Sequence, residues 1–158
     1  MRLYHGTNTH FTQIELGKSQ VGKDFGCGFY LSESEEQAKE LATFKTNLFG
    51  GTPIVQTYEF DESCIQGRFL SFRSFDAYTL EWAEFIFANR SNRSRENIHS
   101  FDIVYGPIAN DKVGVQIRNM LEHNIDMDTF LQRLRYMKGI TFQYIFATEK
   151  AIQQLRQI

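Results

Sequence analysis

The sequence predicts an α+β fold, and three observations carry that expectation. The chain is rich in rings, with 15 Phe and 7 Tyr among 158 residues. Rings at that density suit the half-buried surface of a sheet better than the seam of a helical bundle. Segments with strand alternation are interspersed with segments whose apolar residues recur at helical spacing. The mixture is irregular and lacks the steady strand–helix–strand rhythm of a doubly wound sheet. Hydrophobic residues make up 42% and charged residues 23%, a balance that supports a packed core. The length suits one domain covering residues 1–158.

Leu3-Tyr4-His5 reads as a first strand, ended by Gly6-Thr7-Asn8. Residues 9–23 are mixed, with a loop or a short helical turn open. Gly28 to Leu31 is a second short strand. Ser34, with Gln37 three residues on, fits a capping box. The helix it opens carries Ala38, Leu41, Ala42, Lys45, Leu48 and Phe49 at helical spacing, and Gly50-Gly51 stops it. Pro53 to Phe60 alternates like a strand. Ser74 is expected to cap a second long helix, on which Tyr78, Trp82, Phe85, Ile86 and Asn89 share a face. Phe101 to Tyr105 is a strand ended by Gly106-Pro107. Residues 111–123 form a helix weakened by Gly114. Asp126 or Asp128 caps the next, with Phe130, Leu131, Leu134 and Met137 inward. Phe142 to Thr148 is a last strong strand, followed by a helix from Glu149 to Arg156.

Several function classes are disfavoured. The net charge is −2 with a pI near 6.1, so no general grip on nucleic acid is expected. The cluster Arg90, Arg93 and Arg95 reads as a solvated loop. Cys27 and Cys64 stand outside any CxxC pattern, and the four histidines are scattered, so no metal site is expected. Two isolated thiols fit a reducing compartment. No apolar run approaches the roughly 20 residues of a membrane span, and the N-terminus lacks a signal-peptide core. The expected location is cytoplasmic, or outside the cell by a route without a cleavable signal. Gly26-Cys27-Gly28 precedes a strand, whereas a dinucleotide fingerprint follows one and opens a helix.

Three motifs stand in order along the chain: Tyr4-His5-Gly6-Thr7, then Gly26-Cys27-Gly28-Phe29-Tyr30-Leu31-Ser32, then Phe142-Gln143-Tyr144-Ile145-Phe146. Together they resemble the catalytic fold of the ADP-ribosyltransferases, in the branch shared by poly(ADP-ribose) polymerases and the diphtheria-toxin group. In that branch His-Gly-Ser/Thr closes the first strand, Gly-x-Gly and an aromatic pair open the second, and an acidic residue sits near the start of a late strand. DFGCGFYL and FDIVYGPIAND also look like a bacterial family of small single-domain members. The resemblance implies a split β-sheet, two small packed sheets with flanking helices.

It also implies NAD as co-substrate, without metal, and His5, Tyr30 and Gln143 as catalytic residues. The cofactor-binding residues implied are His5, Gly6, Thr7, Gly28, Tyr30, Ser32 and Asn110. A glycine at 6 leaves its backbone bare, so a flat carboxamide fits against its N–H and C=O. His5 would reach a ribose hydroxyl on the adenosine side, with Thr7 in support. Tyr30 would offer its face to the cationic nicotinamide ring. Gly26 and Gly28 would let the backbone approach a bound dinucleotide. Asn110 either contacts ribose or starts a helix. Arg90 either holds a pyrophosphate or is a helix-end charge.

Two departures matter. Gln143 stands where polymerase-like enzymes carry glutamate, so it accepts a hydrogen bond but brings no charge and removes no proton. Ala38 and Leu41 occupy turns where those enzymes place a serine and a stacking aromatic. Asp111 and Glu149 are candidate helping acids, or simply first-turn helix acids. The leading expectation is a mono-ADP-ribosyltransferase acting on a protein. NAD glycohydrolysis, a silent NAD-binding module and nucleic-acid modification stay open beside it. The resemblance admits an antitoxin or immunity protein as a further partner.

Overall fold

Runs of β-branched and aromatic residues become strands, and capped, inward-striped runs become helices. The computed structural model describes residues 1–158. The elements are β1 Arg2–Thr7, β2 Phe29–Ser32, α1 Glu35–Phe49, β3 Ile54–Phe60, α2 Ser63–Gln66, β4 Phe72–Ser74 and α3 Leu80–Ser91. They continue with β5 Ile103–Pro107, α4 Asp111–Leu121, α5 Met127–Leu134, β6 Phe142–Phe146, α6 Glu149–Ile152 and β7 Leu155–Gln157. A short 3₁₀ turn, Leu16–Lys18, lies in the first long connection.

The strands form one sheet in the order β4-β5-β6-β2-β1-β3-β7. β4 and β5 are parallel, and every other neighbour pair is antiparallel. This mixed architecture agrees with α+β. The expected two packed small sheets are corrected to one sheet of seven strands. That sheet is nearly cut in the middle: β1 and β2 share one register pair, Tyr4 opposite Ser32. β1 and β3, by contrast, run in register from Arg2 opposite Glu59 to Thr7 opposite Ile54.

Alternation sends successive side chains to opposite faces. One face carries Val104 and Ile145, which pack with Phe25, Trp82, Ile86, Val113, Ile117, Phe130 and Leu134 under α3, α4 and α5. The other carries Leu3, Phe29, Leu31, Tyr58, Phe60, Ile103, Tyr144 and Phe146 in a second core.

Local chemistry explains most helix starts. Ser34 accepts the Gln37 N–H at 3.3 Å, but Gln37 turns its side chain to Ser32, whose hydroxyl donates to Oε1 at 2.7 Å. The capping box is therefore one-sided. Asp126, not Asp128, caps α5 by accepting the Thr129 N–H at 2.8 Å. The expected cap at Ser74 is corrected: Thr79 caps α3 through the Trp82 N–H at 3.2 Å, while Ser74 ends β4 against Tyr105. Gly106-Pro107 does not end β5 but completes it, opposite Gln143 and Phe142. The helix expected to reach Arg156 stops at Ile152, and β7 joins β3 with Leu155 opposite Phe60. The short elements α2 and β4 were not legible in the sequence pattern.

Thr79→Ala is expected to lower the unfolding free energy by about 1 kcal/mol, and Ser74→Ala by less than about 0.5 kcal/mol. Urea unfolding of the two variants checks the cap assignment.

Candidate functional site

A cleft of about 440 Å³ opens where α1, the sheet and the start of α4 meet. Its sheet side is made by Tyr30, Ser32 and Gln143, its α1 side by Gln37, Ala38, Glu40, Leu41 and Phe44, and its α4 side by Ile108, Asn110 and Asp111. Gly6 and Tyr4 close it from β1. Residues far apart in sequence meet here because register aligns them: Ser32 is opposite Gln143. The α4 side is anchored from the core. Trp82 Nε1 donates to the Pro107 carbonyl at 3.2 Å, and the Tyr78 hydroxyl to the Ile108 carbonyl at 3.0 Å.

The cleft owes its inner edge to the gap between β1 and β2. Met1 and Phe60 exchange hydrogen bonds, Phe60 N–H to Met1 O at 3.0 Å and the Met1 ammonium to Phe60 O at 2.7 Å. In an antiparallel ladder this exchange recurs at every second residue. Odd residues of β1 therefore face β3, and Tyr4 and Gly6 turn their backbone groups toward β2. Past the Tyr4–Ser32 pair no register pair continues. Two side chains occupy the next step instead. The Tyr30 carbonyl lies 2.8 Å from His5 Nδ1, and the Gly6 carbonyl accepts the Lys45 ammonium at 2.7 Å. A Cβ at Gly6 would stand 2.1 Å from the Ala38 carbonyl oxygen, so glycine is needed for α1 to lie on β1.

His5 does not line the cleft. Its ring stacks on Phe29 with centroids 4.4 Å apart and meets Phe11 edge-on. Because a carbonyl only accepts, the Tyr30 oxygen assigns the proton of the neutral ring to Nδ1 and leaves Nε2 an acceptor. Burial, together with the Lys45 and Lys23 ammonium groups, pushes the imidazole down to about 4.

Tyr30 turns its hydroxyl away from the cleft: it donates to the Gly26 carbonyl at 2.7 Å and accepts the Phe25 N–H at 3.1 Å. The Lys23 ammonium lies 4.8 Å from its ring centroid. The glycines around Cys27 make room for protein groups. Gly26 has φ +89°, and a Cβ there would meet Asn97 Oδ1 at 2.4 Å; one at Gly28 would meet Ile145 at 2.5 Å. Asn97 clamps Cys27, accepting its N–H at 2.7 Å and donating to its carbonyl at 2.8 Å.

The remaining candidates divide. Ser32 and Asn110 line the cleft, and Asn110 also caps α4, accepting the Val113 N–H at 3.0 Å. Thr7 and Gly28 lie outside its lining; Thr7 is buried and donates to the Thr9 carbonyl at 3.1 Å. Arg90 is paired with Asp24 at 2.6 Å. Asp111 borders the cleft and Glu149 does not. Glu40, Lys23 and Lys45 stand in no motif of the sequence. Only Lys45 left a signal, as the one cation on the inward stripe of Ala38 and Ala42.

The depressed His5 value sets a pH dependence. Its folded value of about 4 lies below the ordinary 6.5, so the unfolded chain binds the extra proton first. Stability is expected to fall as pH drops from about 6.5 to about 4, by on the order of 3 kcal/mol from this group. Melting curves across that window should flatten in His5→Asn, which keeps a donor toward the Tyr30 carbonyl.

No curated protein and no solved structure matches the chain. One family model matches residues 1–157; its description is "Protein of unknown function (DUF3990)". With all but the final residue matched, the chain belongs to the DUF3990 family.

Proposed function

We propose that this protein is an NAD-dependent mono-ADP-ribosyltransferase that modifies a protein acceptor and releases nicotinamide. The observation that supports it best is the convergence of Gly6, Tyr30, Ser32 and Gln143 on one cleft, at the point where β1 turns its backbone out of the ladder. The cleft volume lies in the range of small-molecule pockets.

In this reading the nicotinamide carboxamide pairs with the Gly6 backbone. A carbonyl oxygen has two lone pairs, so Gly6 accepts the carboxamide and Lys45 together. Tyr30 offers its ring to the pyridinium. The bond from ribose C1′ to the pyridinium nitrogen breaks, its electron pair stays on nitrogen, and nicotinamide leaves neutral. Gln143 accepts a hydrogen bond from the 2′-hydroxyl and orients the ribose. The acceptor nucleophile forms the new bond to C1′, and its proton passes to a carboxylate on the cleft rim. Glu40 and Asp111 are the carboxylates there, and they take the task that Gln143 cannot perform.

Labelled NAD, incubated with the protein with and without a cell lysate, tests the assignment. Label on a lysate protein supports transfer. Free nicotinamide without labelled protein supports glycohydrolysis, and binding without either product supports a silent module. Gln143→Ala is expected to slow nicotinamide release by about tenfold or more, and Gln143→Glu to raise it by a similar factor through added transition-state charge. Unchanged rates in both would remove residue 143 from the chemistry. Leu41→Tyr restores a second ring and is expected to tighten nicotinamide binding roughly threefold to tenfold, read by calorimetry.

A further inference from the structure

We propose that Lys23 and Lys45 form a site for the phosphate oxygens of a dinucleotide pyrophosphate. The assignment rests on the NAD reading above for the identity of the ligand, but its geometry stands separately. Lys23 comes from the loop before β2 and Lys45 from α1. They converge on the same step of the β1–β2 gap, one against the Tyr30 ring and the other on the Gly6 carbonyl.

Neither makes an ion pair within 4.0 Å, and the Asp24 carboxylate acts on Lys23 only from farther off. The ion pairs within 4.0 Å involve Lys18, Lys39, Arg73, Arg90, Lys150 and Arg156. The nearest acid in sequence, Asp24, is already held by Arg90. Both lysines are partly buried. Lys45 uses one donor on Gly6, and the Lys23 ammonium makes no hydrogen bond to the protein; an ammonium carries three donors. Burial and the Lys23 charge push Lys45 down to about 8, and burial lowers Lys23 as well. Two half-desolvated like charges that repel one another across the gap oppose folding unless an anion joins them. Lys45 has a structural task at Gly6, whereas Lys23 makes no hydrogen bond, which fits a site that trades stability for binding.

His5, stacked on Phe29 on the other face of β2 from the Tyr30 ring, takes no part in this site. Arg90, the other candidate for the phosphates, has its Nε committed to Asp24.

Calorimetric titration of the whole chain with ADP-ribose, inorganic pyrophosphate and nicotinamide tests the site. Wild type is expected to bind ADP-ribose and pyrophosphate, more weakly as salt rises. Lys23→Met with Lys45→Met should weaken ADP-ribose binding by about tenfold or more; Lys23→Met alone, which keeps the Lys45 bond to Gly6, should weaken it in part while melting no lower than wild type. Lys45→Arg, which keeps the charge, should retain most of the affinity. A folded double variant that binds ADP-ribose within about twofold of wild type overturns the site. So does a wild-type protein that binds nicotinamide but neither anion, although the NAD reading then survives. Binding of both anions without nicotinamide leaves the lysine site standing and removes the NAD reading instead.

Discussion

Helix α1 lies on bare backbone. At Gly6 the Ala38 carbonyl comes so near that any Cβ would collide with it. This contact brings Lys45 down to the Gly6 carbonyl, and it sets Ala38 and Leu41 along one side of the cleft. The sheet has to yield at the same place. After one pair, β1 and β2 part, and His5 and Lys45 take the carbonyls that a continued ladder would use. Backbone polar groups must find partners when they leave a sheet. Here side chains supply them, so the gap stays open without leaving these carbonyls unpartnered.

The electrostatics of the gap follow from that arrangement. An imidazole and two ammonium groups share a partly buried space with no carboxylate bound to any of them. Each is pushed toward its neutral form. A chain of overall charge −2 thus concentrates positive potential at one place, which net charge alone does not reveal. The carboxylates of the cleft, Glu40 and Asp111, sit on exposed positions at its rim. The gap is therefore cationic and the exposed rim of the cleft acidic.

The Gly-Cys-Gly stretch has a structural explanation. Gly26 adopts a left-handed conformation closed to most side chains, and Gly28 lies flat against Ile145 and the Phe146 carbonyl. Asn97 imitates a neighbouring strand by bonding both backbone groups of Cys27. The turn then delivers Phe29 and Tyr30 to opposite faces of β2. One enters the core beside His5, and the other borders the cleft. Two adjacent aromatics with opposite destinations are what strand alternation requires.

Much of this was legible in one dimension. Strand runs such as Ile54 to Phe60, the cap at Ser34 and the helical stripe of α5 are set by neighbours a few residues away, so local pattern determines them. The family resemblance nominated Gly6, Tyr30, Ser32, Asn110 and Gln143, which line the cleft, and also His5, Thr7 and Gly28, which do not. Contacts between distant segments were not legible. Thr79 caps α3 because the chain reaches β4 first, and β7 pairs with β3 because the core leaves that edge open. Arg90 is spoken for by an aspartate far away in sequence, and Lys23 and Lys45 meet only when a loop and a helix close over one gap. Whether a charge is paired or alone depends on what folding places beside it, and no linear pattern carries that distance.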